Sequence, residues 1–337
     1  MRKFFGQYTI ALMLVAVLVC AGTASAVPLA NQFVPVGVID TSLAVGEDAF
    51  GVSYDPVNDL IWHNVGSGTA HAFTPFKNLV IGSLPIDGFT GLPALTLSTG
   101  GTTPTGVGGI QALGFDSNTG DLVIHDPAGA GGGGELKEFA PFTGTVGTPI
   151  PISAGIAGFI DGLDIEGTGP IGAGTDVYFS PEGGSGFLKS FKNGAIFLDD
   201  TSVAQTDISA VSVAADIGTS IVRWAGIEAV TALGTVYTVA ATNGGTLSRT
   251  VATYDSAGTL LAVDPDGSPF ATRLEDLAYD GRYLYGGSLG DSRIFVFDIV
   301  GPGGTVIPEP STLILFLAGI FGVAGFGYVR KQRKTIA

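Results

Sequence analysis

One pattern of strands recurs five times between residues 50 and 300, and no other feature constrains the fold as tightly. Each copy reads as an apolar strand ending in an acid or a turn, a second strand, and a third strand ending in an aromatic residue. The copies span 52–55, 60–63 and 70–73; then 113–116, 121–125 and 136–139; then 163–166, 177–180 and 187–191; then, more weakly, 230–232, 236–239 and 250–255; and last 277–280, 283–285 and 293–298. Further apolar runs at 79–81, 196–198 and 259–263 offer a fourth strand between copies. Repeated four-stranded units predict an all-β fold, a β-propeller of about five blades, with room for a sixth in the linkers at 85–108 and 199–222. A two-sheet sandwich or an irregular solenoid would also accommodate so many strands. The strand at 33–39 has no blade of its own and is expected to pair with the third strand of the last copy, closing the ring and removing its exposed edges.

Composition supports short strands joined by turns, with 53 glycines, 18 prolines and abundant Val, Ile and Thr. Residues 27–307 hold nine basic and 29 acidic residues, a surface that repels nucleic acid and anionic lipid.

Both ends of the chain read as targeting segments. Arg2 and Lys3 precede the apolar run 10–20, and Ala24-Ser25-Ala26 supplies the small residues of a cleavage site, so residues 1–26 are expected to be a secretory signal peptide. The one cysteine, Cys20, lies inside it, which leaves the mature chain without thiol chemistry. Near the other end, residues 311–329 form an uncharged apolar stretch long enough to cross a bilayer as a helix. The basic tail 330–337 should hold that end in the cytoplasm.

Immediately before this stretch stand Pro308, Glu309 and Pro310. A Pro-Glu-Pro signature, a hydrophobic span and a short basic tail in that order resemble the PEP-CTERM sorting signal of Gram-negative bacteria. The resemblance implies a transient inner-membrane stage and cleavage near the motif by an exosortase. The protein would then pass to the cell surface or the extracellular polysaccharide matrix. Segments 1–26, 27–306 and 307–337 would be the signal, the ectodomain and the sorting segment.

Chemistry within the repeats is sparse. His63 and His125 end corresponding second strands, which fits either a paired metal site or repeat ancestry, and His71 reads as structural. Asp264-Pro265-Asp266-Gly267-Ser268 has calcium-loop composition without the distal Glu, and reads as a turn. At the start of the first strands the copies offer Gln111, Asp161, Glu228 and Glu275, with Phe50 breaking the series. First strands line a propeller's channel, so the three carboxylates Asp161, Glu228 and Glu275 are expected to converge as hard donors suited to calcium. Residues 226–229 and 274–277 loosely resemble the channel sites of calcium-dependent lactonase and phytase-like propellers. Two functions follow: a non-enzymatic surface or matrix component that meets exopolysaccharide or other surface proteins, or a calcium-dependent hydrolase.

Overall fold

The computed structural model describes residues 32–44, 50–65, 68–96, 100–107, 112–127, 134–145, 147–151, 159–167, 171, 175–182, 187–192, 206–209, 223–230, 235–241, 250–255, 260–264, 274–288, 290–301 and 305–306. The expected signal peptide and the apolar run 311–329 lie outside them. Among the described residues no helix is long and apolar enough to cross a membrane.

The chain opens with β1, Gln32–Asp40, and one helical turn, Thr41–Ala44. The first blade follows as β2 Val52–Asp55, β3 Leu60–Val65, β4 Thr69–Phe73 and, after the two-residue β5 Ala94–Leu95, β6 Gly101–Pro104. The second is β7 Leu113–Asp116, β8 Asp121–Asp126, β9 Glu135–Phe139 and β10 Ile150–Pro151. The third is β11 Phe159–Gly167, β12 Thr175–Glu182, β13 Phe187–Lys192 and β14 Thr206–Ser209. The fourth is β15 Arg223–Val230, β16 Thr235–Ala241, β17 Thr250–Asp255 and β18 Leu260–Asp264. The fifth takes β19 Leu274–Tyr279, β20 Tyr283–Ser288 and β21 Arg293–Gly301, with β22 Thr305–Val306 as a short edge on β21.

The sheets of the first four blades run antiparallel in chain order from their first strands outward. The fifth obtains its fourth strand from β1, which pairs with β21 from Gln32↔Val300 to Asp40↔Arg293, as the unpartnered strand at 33–39 predicts. β5 then adds in parallel to β1. The first strands lie side by side in a cycle: β2 against β7, β7 against β11, β11 against β15, β15 against β19, and β19 against β2. The sheets are therefore arranged like the blades of a propeller about an axis lined by their first strands.

The core lies between blades, where strands apolar on both faces pack against two neighbours. β21 shows this best. Phe295, Phe297 and Ile299 pack with Leu274, Leu277 and Val251 of the fourth and fifth blades, while Ile294 and Val296 pack with Ile61, Phe73 and Phe76 of the first. Trp62, Leu113 and Phe139 join the first and second blades, and Val123, Leu163 and Val177 the second and third. Gly37 in β1 lies under the Phe76 ring, and a Cβ there would overlap that ring.

The acids that end the first strands hold the following turns. Asp55 Oδ1 accepts the Val57 and Asn58 amides at 2.9 and 2.8 Å, and its Oδ2 accepts Trp62 Nε1 at 3.2 Å. Asp280 repeats this geometry with the Arg282 and Tyr283 amides and the Tyr285 hydroxyl, at 2.8, 2.7 and 2.6 Å. The recurring aspartate thus closes the hairpin as an Asx turn and ties it to the second strand.

Two expectations need correction. The apolar run 79–81 is not the fourth strand of the first blade: 3₁₀ turns at Phe76–Asn78 and Ile81–Ser83 occupy that stretch, Val80 is exposed, and β6 takes the edge instead. Among the described residues of 85–108 the strands are β5 and β6, both belonging to sheets already counted. The run 196–198 lies outside the described residues, and β14 is the third blade's fourth strand.

Candidate functional site

Backbone register, rather than spacing in the sequence, decides which first-strand residues share a level on the axis. β11, β15 and β19 each carry an irregularity near their start. In β11 the extra residue is Asp161 and in β19 it is Glu275. In β15 the irregularity falls at Ala225 and Gly226, so Glu228 lies beyond it, at the level of Asp164 and Ala278. Asp161 and Glu275 are therefore equivalent, and Glu228 is not their counterpart. Among the described residues no group of three His, Cys, Asp or Glu side chains is placed to hold a metal ion. Gln111 lies outside the described residues.

Correct register brings out a residue that spacing misses. Gly51, Ala112, Gly162 and Gly226 occupy one level of the first four blades, and the fifth blade has Asp276 there. Small residues allow close approach of blades at the axis; a Cβ on Gly226 would meet the Asp276 Cα at 3.0 Å. Gly51 O accepts the Asn64 amide inside its own sheet, so the N–H of the next residue, Val52, turns away from the sheet. That N–H meets Asp276 Oδ2 at 3.0 Å. Leu113 N–H, at the same level of the second blade, reaches Oδ2 at 3.2 Å, and Leu277 N–H reaches Oδ1 at 2.9 Å. The Leu163 amide of the third blade also donates to this carboxyl. One side chain thus collects the inward-facing amides of four blades, and it is wholly buried. Burial pushes its pKa well above the usual carboxylate range, against the downward pull of these donors.

Two residues further along each first strand lies the channel mouth. A cavity of about 200 Å³ there is lined by Ser53, Tyr54, Phe115, Asp164, Glu228 and Tyr279, with Pro56, Ser117 and Ile165 at its margin. Glu228 Oε1 accepts the Tyr279 amide at 2.9 Å, and Asp164 Oδ1 accepts the Ile165 amide at 2.8 Å. Both tyrosines are tethered through their hydroxyls. Tyr279 OH donates to Gly281 O at 2.8 Å, and Tyr54 OH donates to Asp59 at 2.8 Å while accepting from Lys77 Nζ at 2.6 Å. Burial raises the Tyr54 pKa against the pull of Lys77, which keeps the hydroxyl a donor.

The histidines stand apart from this mouth. His63 and His125 are fully buried on β3 and β8. His63 Nδ1 lies 3.1 Å from Gly51 O, and burial lowers its pKa to about 4.

Beyond the last blade the chain carries an address. Residues 306–333 match the PEP-CTERM protein-sorting motif. The chain bears a PEP-CTERM sorting signal. Such a signal implies export, processing by an exosortase and sorting to the cell surface through the membrane. No curated protein matches the sequence.

Among solved structures, the chain is similar to the β-propeller domain of Cps50 (Swd1) from Myceliophteria thermophila, at 9% identity and a TM-score of 0.43, covering 75% of this chain and 97% of that one. It is also similar to Raptor from Chaetomium thermophilum, at 10% identity and a TM-score of 0.40, covering 81% and 30%. The propeller architecture of this PEP-CTERM-bearing chain stands on its own strand order and on the cycle of first strands.

Proposed function

We propose that the protein is a non-enzymatic binding or structural component of the surface or extracellular polysaccharide matrix of a Gram-negative bacterium. In this reading residues 1–26 direct export, 27–306 form a five-bladed ectodomain, and 307–337 form a transient membrane-spanning tail that an exosortase removes. The observation that carries it is the sorting motif at 306–333, placed directly after a propeller-like ectodomain. The axis supports a binding role over a catalytic one: beneath the mouth the inward amides of four blades are taken up by the Asp276 carboxyl.

Mass spectrometry of the surface fraction and co-sedimentation with the exopolysaccharide of the same cells test this. The expected result is a mature protein lacking Thr312 onward that sediments with the polymer. Recovery of the 334–337 peptide from released protein would refute processing, and failure to sediment would refute the matrix role.

The second reading is a calcium-dependent hydrolase. It is favoured by Asp164 and Glu228 sharing one level and one cavity. A bound ion at a hundred times its Kd would stabilise the fold by about 2.7 kcal/mol. A calcium-independent melting curve eliminates that reading.

A further inference from the structure

We propose that the channel mouth is a binding site for a single ring of a neutral sugar, within a polysaccharide chain. This deepens the reading of a polysaccharide-associated surface protein and rests on it.

The donor and acceptor layout selects the ligand class. Val52 and Leu113 turn their amides to the axis, and alternation along a strand turns the amides of Tyr54 and Phe115, two residues on, the same way. These donors face the mouth from the first and second blades. From the third and fourth come the carboxylates of Asp164 and Glu228, which act only as acceptors when ionised. An ammonium ion donates only, and would leave the inward amides unanswered. A phosphate, or the carboxylate of a uronate, accepts only and would face two carboxylates on a strongly acidic domain. A hydroxyl both accepts and donates, and adjacent hydroxyls on one ring can do so toward opposite walls.

The walls fit the rest of such a ring. Tyr54 and Tyr279, held by their hydroxyls, present apolar surface for the C–H face of a sugar. Tethered side chains also lose little further freedom when a ligand binds. The cavity of about 200 Å³ is smaller than the usual range for drug-sized ligands, which suits one ring at a time.

The full-length chain in detergent should be titrated calorimetrically with maltohexaose, cellohexaose and mannohexaose, and separately with oligomers of polygalacturonate and chitosan. At least one neutral hexamer is expected to bind more tightly than either charged oligomer. Tyr279→Ala and Glu228→Ala should each weaken it at least tenfold, whereas Tyr279→Phe, which keeps the ring and loses only its tether, should weaken it by less than about fivefold. In the wild type, saturation of aromatic protons should transfer to the sugar C–H protons, a measurement that decides the question even if Tyr279→Ala does not fold. Failure of all three neutral hexamers, tighter binding of a charged oligomer, undiminished binding in the alanine variants, or absence of that transfer overturns the site. If wild type and Tyr279→Ala sediment equally with the cells' own exopolysaccharide, the mouth is wrong and the surface role stands. If the wild type does not sediment, the surface role itself fails.

Discussion

Replacing Asp276 by Ala removes the acceptor for four buried amides in four different blades, those of Val52, Leu113, Leu163 and Leu277. A buried donor left without a partner costs about 1–3 kcal/mol, so four cost about 4–12 kcal/mol together. Removing the carboxyl also removes its own desolvation cost, which is several kcal/mol. Setting the orphaned amides against the recovered desolvation leaves an expected net loss of about 3–5 kcal/mol. For a domain of this size that lowers Tm by on the order of 10 °C. Asp276→Asn keeps the shape and one acceptor oxygen but points an amide at the amides, and should lose about 1–3 kcal/mol. Urea unfolding followed by tryptophan fluorescence, with buried Trp62 as a reporter, reads both. The pH dependence has a definite sign. Because burial raises the folded-state pKa, the contribution of the group is fully present below about 3.8 and is lost as pH rises through the raised value. The advantage of wild type over Asp276→Asn should therefore shrink from acid toward neutral pH. An Asp276→Ala variant within about 0.5 kcal/mol of wild type would refute the account of the axis.

His63 runs the opposite way. Buried and with a pKa lowered to about 4, it takes up its proton more readily in the unfolded chain, so stability should fall by roughly 3 kcal/mol as pH drops from 6.5 through 4. His63→Gln should flatten that slope in acid-unfolding curves. Deleting residues 27–40 strips the fifth blade of β1, and light scattering should show aggregation; a monomeric truncation of unchanged Tm would count against closure through this strand. Gly37→Val should lower Tm by several degrees, because its side chain would meet the Phe76 ring, and pairing it with Phe76→Ala should recover part of the loss.

The repeat is legible in the sequence because first strands end in a residue whose role recurs, as when Asp55 and Asp280 both close the next turn and hold an aromatic donor on the second strand. Ring closure is legible because the strand at 33–39 has no neighbours of its own in the chain. The fourth strand of the first blade is not, since Leu79, Val80 and Ile81 look like a strand, but the chain turns there in two 3₁₀ segments. Alignment at the axis fails for a sharper reason. The fourth copy's first strand reads from the sequence as 230–232, whereas β15 runs Arg223–Val230, and that offset is what groups Glu228 with Asp161 and Glu275 when the counterpart position is Ala225. The signal that could have found Asp276 is the position just before 52, 113, 163 and 277, which reads Gly51, Ala112, Gly162 and Asp276, three small residues and one acid.

The pairing of β1 with β21 also sets an order of events. It joins residues 32–40 to residues 293–300, so the first described strand meets its long antiparallel partner only in the last blade. Until β21 has emerged, β1 cannot take its place in the ring, and the entropy of closing a loop of nearly the whole ectodomain must be met in one late step. The sorting motif begins at residue 306, a few residues after β21. The ring therefore closes through β1 only once the stretch just ahead of the sorting motif is available, which ties the folding of the first strand to the arrival of the last.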